Sequence, residues 1–330
     1  MSAETADEAV FVEAPARLHF GVLDLRASMR RWFGGIGTAA PAPTLLVSAQ
    51  ASGTLEAEGD GSHRVLEFAS QFVAHYQIGR GARLRVHRAL PSHVGLGSGT
   101  QLALAVARAL AELFDLPTDA PSLARAVGRG RRSAVGLWIF EGGGLVVEGG
   151  RRRDRDECGP LIARLAFPVS WRCVVAVPHS RPGLSGGAEE EAFAQLPPPS
   201  AREVERVSHV VLMNLLPAIL EADLAAFGAA LTEIQEITGR WFAPVQGGTF
   251  APGESENLVR LMRKWGACGV GQSSWGPAVY GIVDGEVAGL ELARHVRAAA
   301  NAESAVYIGP FRTSGARVWR AKLARSVGTV

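Results

Sequence analysis

The chain has 330 residues, 47% of them hydrophobic and 20% charged, with a formal net charge of +2. That length exceeds one ordinary core, so two domains are expected, and the small net charge offers no global field to draw nucleic acid or a membrane surface. Cys158, Cys173 and Cys268 are far apart with no C-x-x-C pair, which argues against a disulfide framework or a cysteine zinc site.

Residues 1–9 are polar and acidic and read as a loose tail, unlike a signal peptide. No run of 18 apolar residues follows anywhere, so a soluble, cytoplasmic protein is expected. A first strand is predicted over 10–19, carrying Arg17 and His19, with Asp24 shortly after it. Arg26, Arg30 and Arg31 then crowd before Trp32-Phe-Gly-Gly-Ile-Gly37. Guanidinium forks match phosphate and carboxylate oxygens, so this stretch is either an anion pocket beside a glycine turn or a solvated basic loop. Strands are predicted over 43–50 and 54–58 from alternating, β-branched content. Leu66, Phe68, Phe72 and Val73 fall near helical spacing, which predicts a helix over 65–76. A strand over 83–90 and a long apolar helix over 100–114 come next, and a short helix over 120–127 follows Asp115-Leu-Pro117. Arg131 and Arg132 beside Ser133 could hold a second phosphate or sit on a surface turn. Phe140-Glu-Gly-Gly-Gly144 breaks the chain before a strand over 145–147, and the alternating charges of 151–157 read as a solvated connector.

A second unit opens with a strand over 171–177, with His179, Arg181 and a glycine turn at 183–186 at its end. Helices are predicted over 189–196, 201–221, 224–238 and 254–265, with Pro217 kinking or ending the second. A glycine-rich stretch from Gly266 to Gly276, a strand over 278–283, a helix over 286–299 and a strand over 304–308 close the unit. This order of strands and helices predicts an α+β sandwich.

The stretch with the most chemistry is Pro91-Ser-His-Val-Gly95-Leu96-Gly97-Ser98-Gly99-Thr100-Gln101. A glycine-rich turn between strand and helix leaves backbone N–H groups without helical partners at the positive end of the helix dipole, which suits phosphate. Alternate glycines let backbone approach an anion closely, and Ser98 and Thr100 can add hydroxyl donors. The plain alternative is a turn that merely starts a helix. No Lys-Ser/Thr follows the glycines, so it is not a Walker A loop, and the G-x-G-x-G spacing and late position make a poor dinucleotide fingerprint. The only lysines are Lys264 and Lys322, so an anion site here must use arginine, backbone amides, histidine or a metal.

The loop resembles the P-x-x-x-G-L-G-S-[SG] motif of the GHMP superfamily. The order of motifs extends that resemblance over nearly the whole chain: Ala14-Pro-Ala-Arg17 first, the loop near 95, a second glycine-rich loop near 270. It implies an α+β, two-domain GHMP-kinase-like fold. Its N-terminal domain, 1–165, would be ribosomal-S5-domain-2-like and carry the loop; its C-terminal domain, 166–330, would be a ferredoxin-like α/β sandwich. Five stretches further resemble the β-ribofuranosylaminobenzene 5′-phosphate synthases of tetrahydromethanopterin biosynthesis: Arg17-Leu-His-Phe-Gly-Val-Leu-Asp24, Phe33-Gly-Gly-Ile-Gly37, Gly95-Leu-Gly-Ser-Gly-Thr-Gln101, Gly128-Arg-Gly-Arg-Arg-Ser133 and Gly271-Gln-Ser-Ser-Trp-Gly-Pro277. Such an enzyme is a decarboxylating pentosyltransferase. It condenses 4-aminobenzoate with phosphoribosyl pyrophosphate to a C-riboside and releases carbon dioxide and pyrophosphate.

Many GHMP kinases carry a lysine where Arg17 stands, and a Ser-Gly-x-Asp whose aspartate acts as base. The matching stretch here is Ser133-Ala-Val-Gly136, without the aspartate. On the implied reaction, positive groups must stabilise the departing pyrophosphate, and Mg²⁺ is the usual partner for it. The resemblance therefore implies that Gly95 to Gln101 hold a phosphate, that Arg17 with Arg26 or Arg30 neutralises the rest, and that Asp24 meets the metal directly or through water. His19 would hydrogen-bond a phosphate or the arene amine, or else pack within its strand. Gln272, Ser273, Ser274 and Trp275 would line the cleft from the second domain, with Trp275 against the arene or in the core. A homodimer is expected. The competing readings are an ATP-dependent small-molecule kinase of the same superfamily and a non-catalytic phosphometabolite-binding protein.

Overall fold

The computed structural model describes residues 8–322 except 28, 156, 180–182 and 185, so the expected tail is described only from Glu8 and Arg181 lies outside the described residues. Two long strands, β1 (Glu8–Asp24) and β2 (Arg31–Ser52), pair antiparallel and form the spine of the first sheet. Val10, Val12, Ala14, Ala16, Leu18 and Phe20 alternate along β1 and are all buried, the period of two that one covered sheet face demands. In chain order there follow β3 (Glu56–Glu58), α1 (Ser62–His75), β4 (Gly81–Arg88), α2 (Ser98–Phe114), α3 (Ala120–Ala126), α4 (Val135–Gly142), β5 (Leu145–Glu148), β6 (Arg151–Arg152) and β7 (Leu161–Leu165). Helix α2 lies on β1 and β2. Ala103, Ala105, Ala107 and Ala109 are wholly buried in it, and side chains that small bring the helix close to its neighbours.

The second half contains β8 (Trp171–Val177), α5 (Gly186–Gln195), α6 (Ala201–Val210), α7 (Leu216–Leu220), α8 (Leu224–Gln246), α9 (Glu254–Lys264), β9 (Gly269–Gln272), β10 (Val279–Asp284), α10 (Glu286–Ala299), β11 (Ala305–Pro310) and β12 (Arg317–Lys322). The first sheet runs β12-β1-β2-β4-β3, with β5 and β6 also on β2 and β7 on β5; the second runs β11-β8-β10-β9. The last strand thus returns to pair with the first. The fold is α+β with two sheets, as expected.

Three stretches differ from their sequence reading. Residues 31–37 are not a basic loop with a glycine turn but the start of β2, where Gly35 and Gly37 pair with Val22 and His19 of β1. The predicted single helix over 201–221 is split by a π-helical turn, Val211–Leu215, with Pro217 in the first turn of α7. Proline has no N–H to give the ladder, so the chain rewinds there. Helix α8 runs eight residues past its predicted end, because Trp241 continues its buried stripe and Pro244 falls in the last turn.

Candidate active site

The glycine loop is held by its carbonyls. Arg17 Nη1 donates to the Gly95 carbonyl at 2.9 Å, and the Arg17 N–H donates to the Leu96 carbonyl at 3.0 Å. Ser273, from the turn after β9, donates its hydroxyl to the same Gly95 carbonyl at 2.6 Å and accepts the His19 N–H at 2.9 Å. The N-terminal turn of α2 carries no side-chain cap, so it keeps donors for a ligand. Each loop glycine also has a neighbour that needs the missing Cβ. A Cβ on Gly95 would overlap the Ser273 carbonyl; one on Gly97 would lie 2.6 Å from Arg17 Cγ, and one on Gly99 2.8 Å from Arg64 Nη2.

Two chambers meet at Arg17, Arg132, Glu189 and Ser274. The larger, about 450 Å³, lies over the glycine loop and is walled by cationic groups, among them Arg64, Arg129 and Arg132. The smaller, about 70 Å³, is narrow and lined by His19, Phe33, Phe193 and Phe242 beside Ser133 and Gln272. An ion pair between Arg132 and Glu189 (3.0 Å) stands where they join. Burial lowers the Arg17 pKa to about 10, against the opposing pull of Glu189, and Arg17 stays charged at neutral pH. Burial, aided by the charge of Arg17, pushes His19 down to about 3, so its imidazole is neutral. The opposite wall is tied to β1 by hydrogen bonds: the Gln272 N–H donates to Gln235 Oε1 (2.8 Å), and Gln235 Nε2 donates to the Phe20 carbonyl (2.6 Å).

Residues 63–137 match the family described as GHMP kinases N terminal domain, and residues 215–302 match GHMP kinases C terminal. A solved homoserine kinase from Cytophaga hutchinsonii superposes with a TM-score of 0.71 over 97% of this chain and 99% of its own, at 16% identity, a likeness of fold alone. The β-ribofuranosylphenol 5′-phosphate synthase of Methanothermobacter thermautotrophicus is 36% identical over 304 residues, 85% of this chain and 91% of that one. Its namesake in Archaeoglobus fulgidus is 37% identical over 292 residues, 85% of this chain and 90% of that one. The chain belongs to the β-ribofuranosylphenol 5′-phosphate synthase family. The ring named in these relatives is a phenol, where the sequence resemblance implied an aminobenzene.

Within this synthase fold the expected residues separate into groups. Arg17, His19, Gly95, Gly97, Ser98, Gly99, Thr100, Arg132, Gln272, Ser274 and Trp275 line one chamber or both. Leu96 and Ser273 are buried and act through the bonds just described. Trp275 packs edge-on against Phe242 and Phe193, ring centroids 4.7 and 5.6 Å away, so it braces the aromatic wall. Gln101 is wholly buried, lines neither chamber, and donates to the Gly136 carbonyl at 2.9 Å, tying α2 to α4. Arg131 faces a different hollow, with Arg125 and Cys158. Asp24 lines neither chamber; its Oδ1 accepts the N–H groups of Arg26 (2.5 Å) and Ala27 (3.2 Å) and closes the turn after β1. Arg26 donates to the Pro199 carbonyl at 2.7 Å, and Arg30 is exposed with φ 59°. Sequence reasoning missed Arg64 and Arg129. The signal was Gly99 itself, whose bare backbone makes room for Arg64, but that contact is 35 residues long and unreadable from spacing.

Proposed function

We propose that this chain joins C1 of phosphoribosyl pyrophosphate to the carboxyl-bearing ring carbon of a para-substituted benzoate, releasing carbon dioxide and pyrophosphate. The carrying observation is the pairing of chambers: a cationic one over a capless helix N-terminus opens, at Arg17, into a narrow aromatic one. The first suits a sugar phosphate and a departing pyrophosphate, because loop N–H groups and arginines oppose the charge that develops there. The second suits a flat ring held edge-on to Phe193 and Phe242. Gly136 stands where the kinases' aspartate would activate a hydroxyl, in keeping with a ring-carbon nucleophile.

Mg²⁺ is part of this proposal. Magnesium keeps most of its waters and is bound through one or two carboxylates together with substrate phosphates. Among the described residues no cluster of three acidic, histidine or cysteine side chains could hold an ion alone. Glu67 and the hydroxyls of Ser98 and Thr100, all in the cationic chamber, are oxygen donors that fit; the chamber's other carboxylate, Glu189, is paired with Arg132, and Asp24 lines neither chamber. The ion would neutralise pyrophosphate as it leaves.

The test is turnover of carboxyl-labelled 4-hydroxybenzoate and, separately, 4-aminobenzoate with phosphoribosyl pyrophosphate and Mg²⁺, without ATP. Labelled carbon dioxide with stoichiometric pyrophosphate is expected from at least one ring. No release from either, with ADP formed from ATP and an alcohol, would replace the synthase with a kinase.

A further inference from the structure

Three neighbouring strands of the first sheet, β1, β2 and β5, meet beside the aromatic chamber, and the middle one is bare where the outer two carry ionisable side chains. His19 stands opposite Gly37 in the β1–β2 register, and Glu148 opposite Gly35 in the β2–β5 register. Cross-strand partners share a face, so the glycines of β2 leave a gap between the two side chains. A Cβ on Gly35 would lie 3.2 Å from His19 Nε2 and 3.2 Å from Glu148 Oε1. The Ser133 hydroxyl closes that gap, 3.4 Å from His19 Nε2 and 3.5 Å from Glu148 Oε1.

Glu148 is wholly buried. Its Oε1 also accepts the Ala134 N–H at 3.2 Å and its Oε2 the Gly150 N–H at 2.7 Å. Among the described residues no arginine or lysine shifts its ionisation. A buried carboxylate without a cation is costly to a fold, and its one line of contact with a ligand runs through Ser133 and His19, which line the chamber. We propose that Glu148 is the terminal proton acceptor of a relay, His19–Ser133–Glu148, that takes the proton from the para substituent of the ring substrate and returns it. This deepens the proposed function and rests on it.

The step balances as follows. The ring hydroxyl or amine gives its proton to His19 Nδ1, the nitrogen not turned to Ser133. The Nε2 proton passes to Ser133 Oγ, and the Ser133 proton to Glu148. The ring carbon forms its bond to the sugar C1 while the C1–O bond breaks and pyrophosphate leaves with the electron pair. The ring is now a dienone or imine that still bears its carboxylate. The C–CO₂ bond then breaks, its electrons restore the aromatic ring, and the proton returns from Glu148 to the substituent. No outside base or oxidant is consumed.

The electrostatics agree with this role. Burial pushes Glu148 up to about 7, only partly offset by its N–H donors, so it accepts a proton readily near neutrality. His19, held down to about 3, passes a proton on without keeping it. The titratable groups facing Glu148 are His19 from β1 and the Cys158 thiol ahead of β7, itself raised by burial. Arg17 and Arg132 stand beyond His19 and Ser133. The strand β2 contributes only glycine there.

The experiment compares kcat, KM and the pH profile of the wild type, Glu148→Gln and Ser133→Ala on whichever benzoate the wild type turns over. In Glu148→Gln, kcat should fall about 100-fold or more, in the range of general acid–base effects, with KM for both substrates within about threefold. The wild-type rate should rise through a limb near pH 7, and that limb should vanish in the variant. Ser133→Ala should lower kcat in the same direction, and it decides the matter if Glu148→Gln does not fold. Wild-type kcat and an unchanged limb in the folded variants would overturn the relay while leaving the synthase reading intact. Absence of carbon dioxide release from the wild type would instead overturn the synthase reading and the relay with it.

Discussion

Glu148 carries a stability cost that depends on pH. Its carboxyl ionises at about 7 in the folded chain against an ordinary 4.5. Below the ordinary value both folded and unfolded chains hold the proton and there is no penalty. Between the two values only the folded chain holds it, so stability falls as pH rises, and above the folded value the loss is complete. A gap of this size corresponds to about 3 kcal/mol. Glu148→Gln should therefore melt higher than wild type at pH 8, with a margin that shrinks toward pH 5; His19 titrates in both proteins and drops out of the difference. A constant or reversed margin in thermal melts at the two pH values would show that the carboxyl is not held in this state. Nothing in the sequence announced this residue. It follows an apolar run, Leu145-Val-Val147, where a charged side chain reads as a strand end turning to solvent. Asp24, expected at the metal from the family resemblance, lines neither chamber, and its Oδ1 accepts two backbone N–H groups of its own turn.

Elements with strong periodicity were legible, and elements whose glycines serve long-range packing were not. Strand β8 spans the predicted 171–177, and α1, α2 and α10 each begin or end within about three residues of expectation, the usual error of boundaries. Helix α4 was hidden between Gly136 and Gly142-Gly-Gly144, residues that break helices on intrinsic propensity alone; burial of Val135, Leu137, Ile139 and Phe140 overrides it. The loop before α2 was legible as a glycine-rich turn that opens a helix, but the protein neighbours that require its glycines were not. These glycines admit Ser273, Arg17 and Arg64. Gly97→Ala tests this. Its φ is +72° and the new Cβ would stand 2.6 Å from Arg17 Cγ. The left-handed backbone costs about 1–2 kcal/mol for alanine, and Arg17 must shift off the Gly95 carbonyl. The variant should melt lower, and KM for the sugar pyrophosphate should rise more than KM for the benzoate. Equal changes in the two KM values would mean that Gly97 does not position Arg17.

At the scale of the molecule, the sequence divides near its middle, and the structure ties the halves together. Strand β12, from the end of the chain, pairs with β1 from Glu8↔Lys322 to Glu13↔Arg317. The Ser273 hydroxyl bridges the Gly95 carbonyl and the His19 N–H, and the Ala278 N–H donates to the Val94 carbonyl at 3.0 Å. One continuous hydrophobic cluster runs from Val10 through Phe20 and Tyr280 to Phe311, with the Phe20 and Tyr280 rings 4.9 Å apart. These ties were unreadable beforehand because each joins residues at least 178 apart, and hydrophobic periodicity reports only local structure. Their consequence is cooperative. Parting the halves would strip β1 of an edge partner and expose apolar surface on both sides, so neither half has a complete core alone. Calorimetry of the whole chain should therefore give a single unfolding transition whose calorimetric and van't Hoff enthalpies agree. Trp171→Phe, in the second half, should lower that one transition as a unit. Two resolved transitions, with only the second moved by the substitution, would show that the halves unfold independently and that the cleft between them is a contact of separate domains.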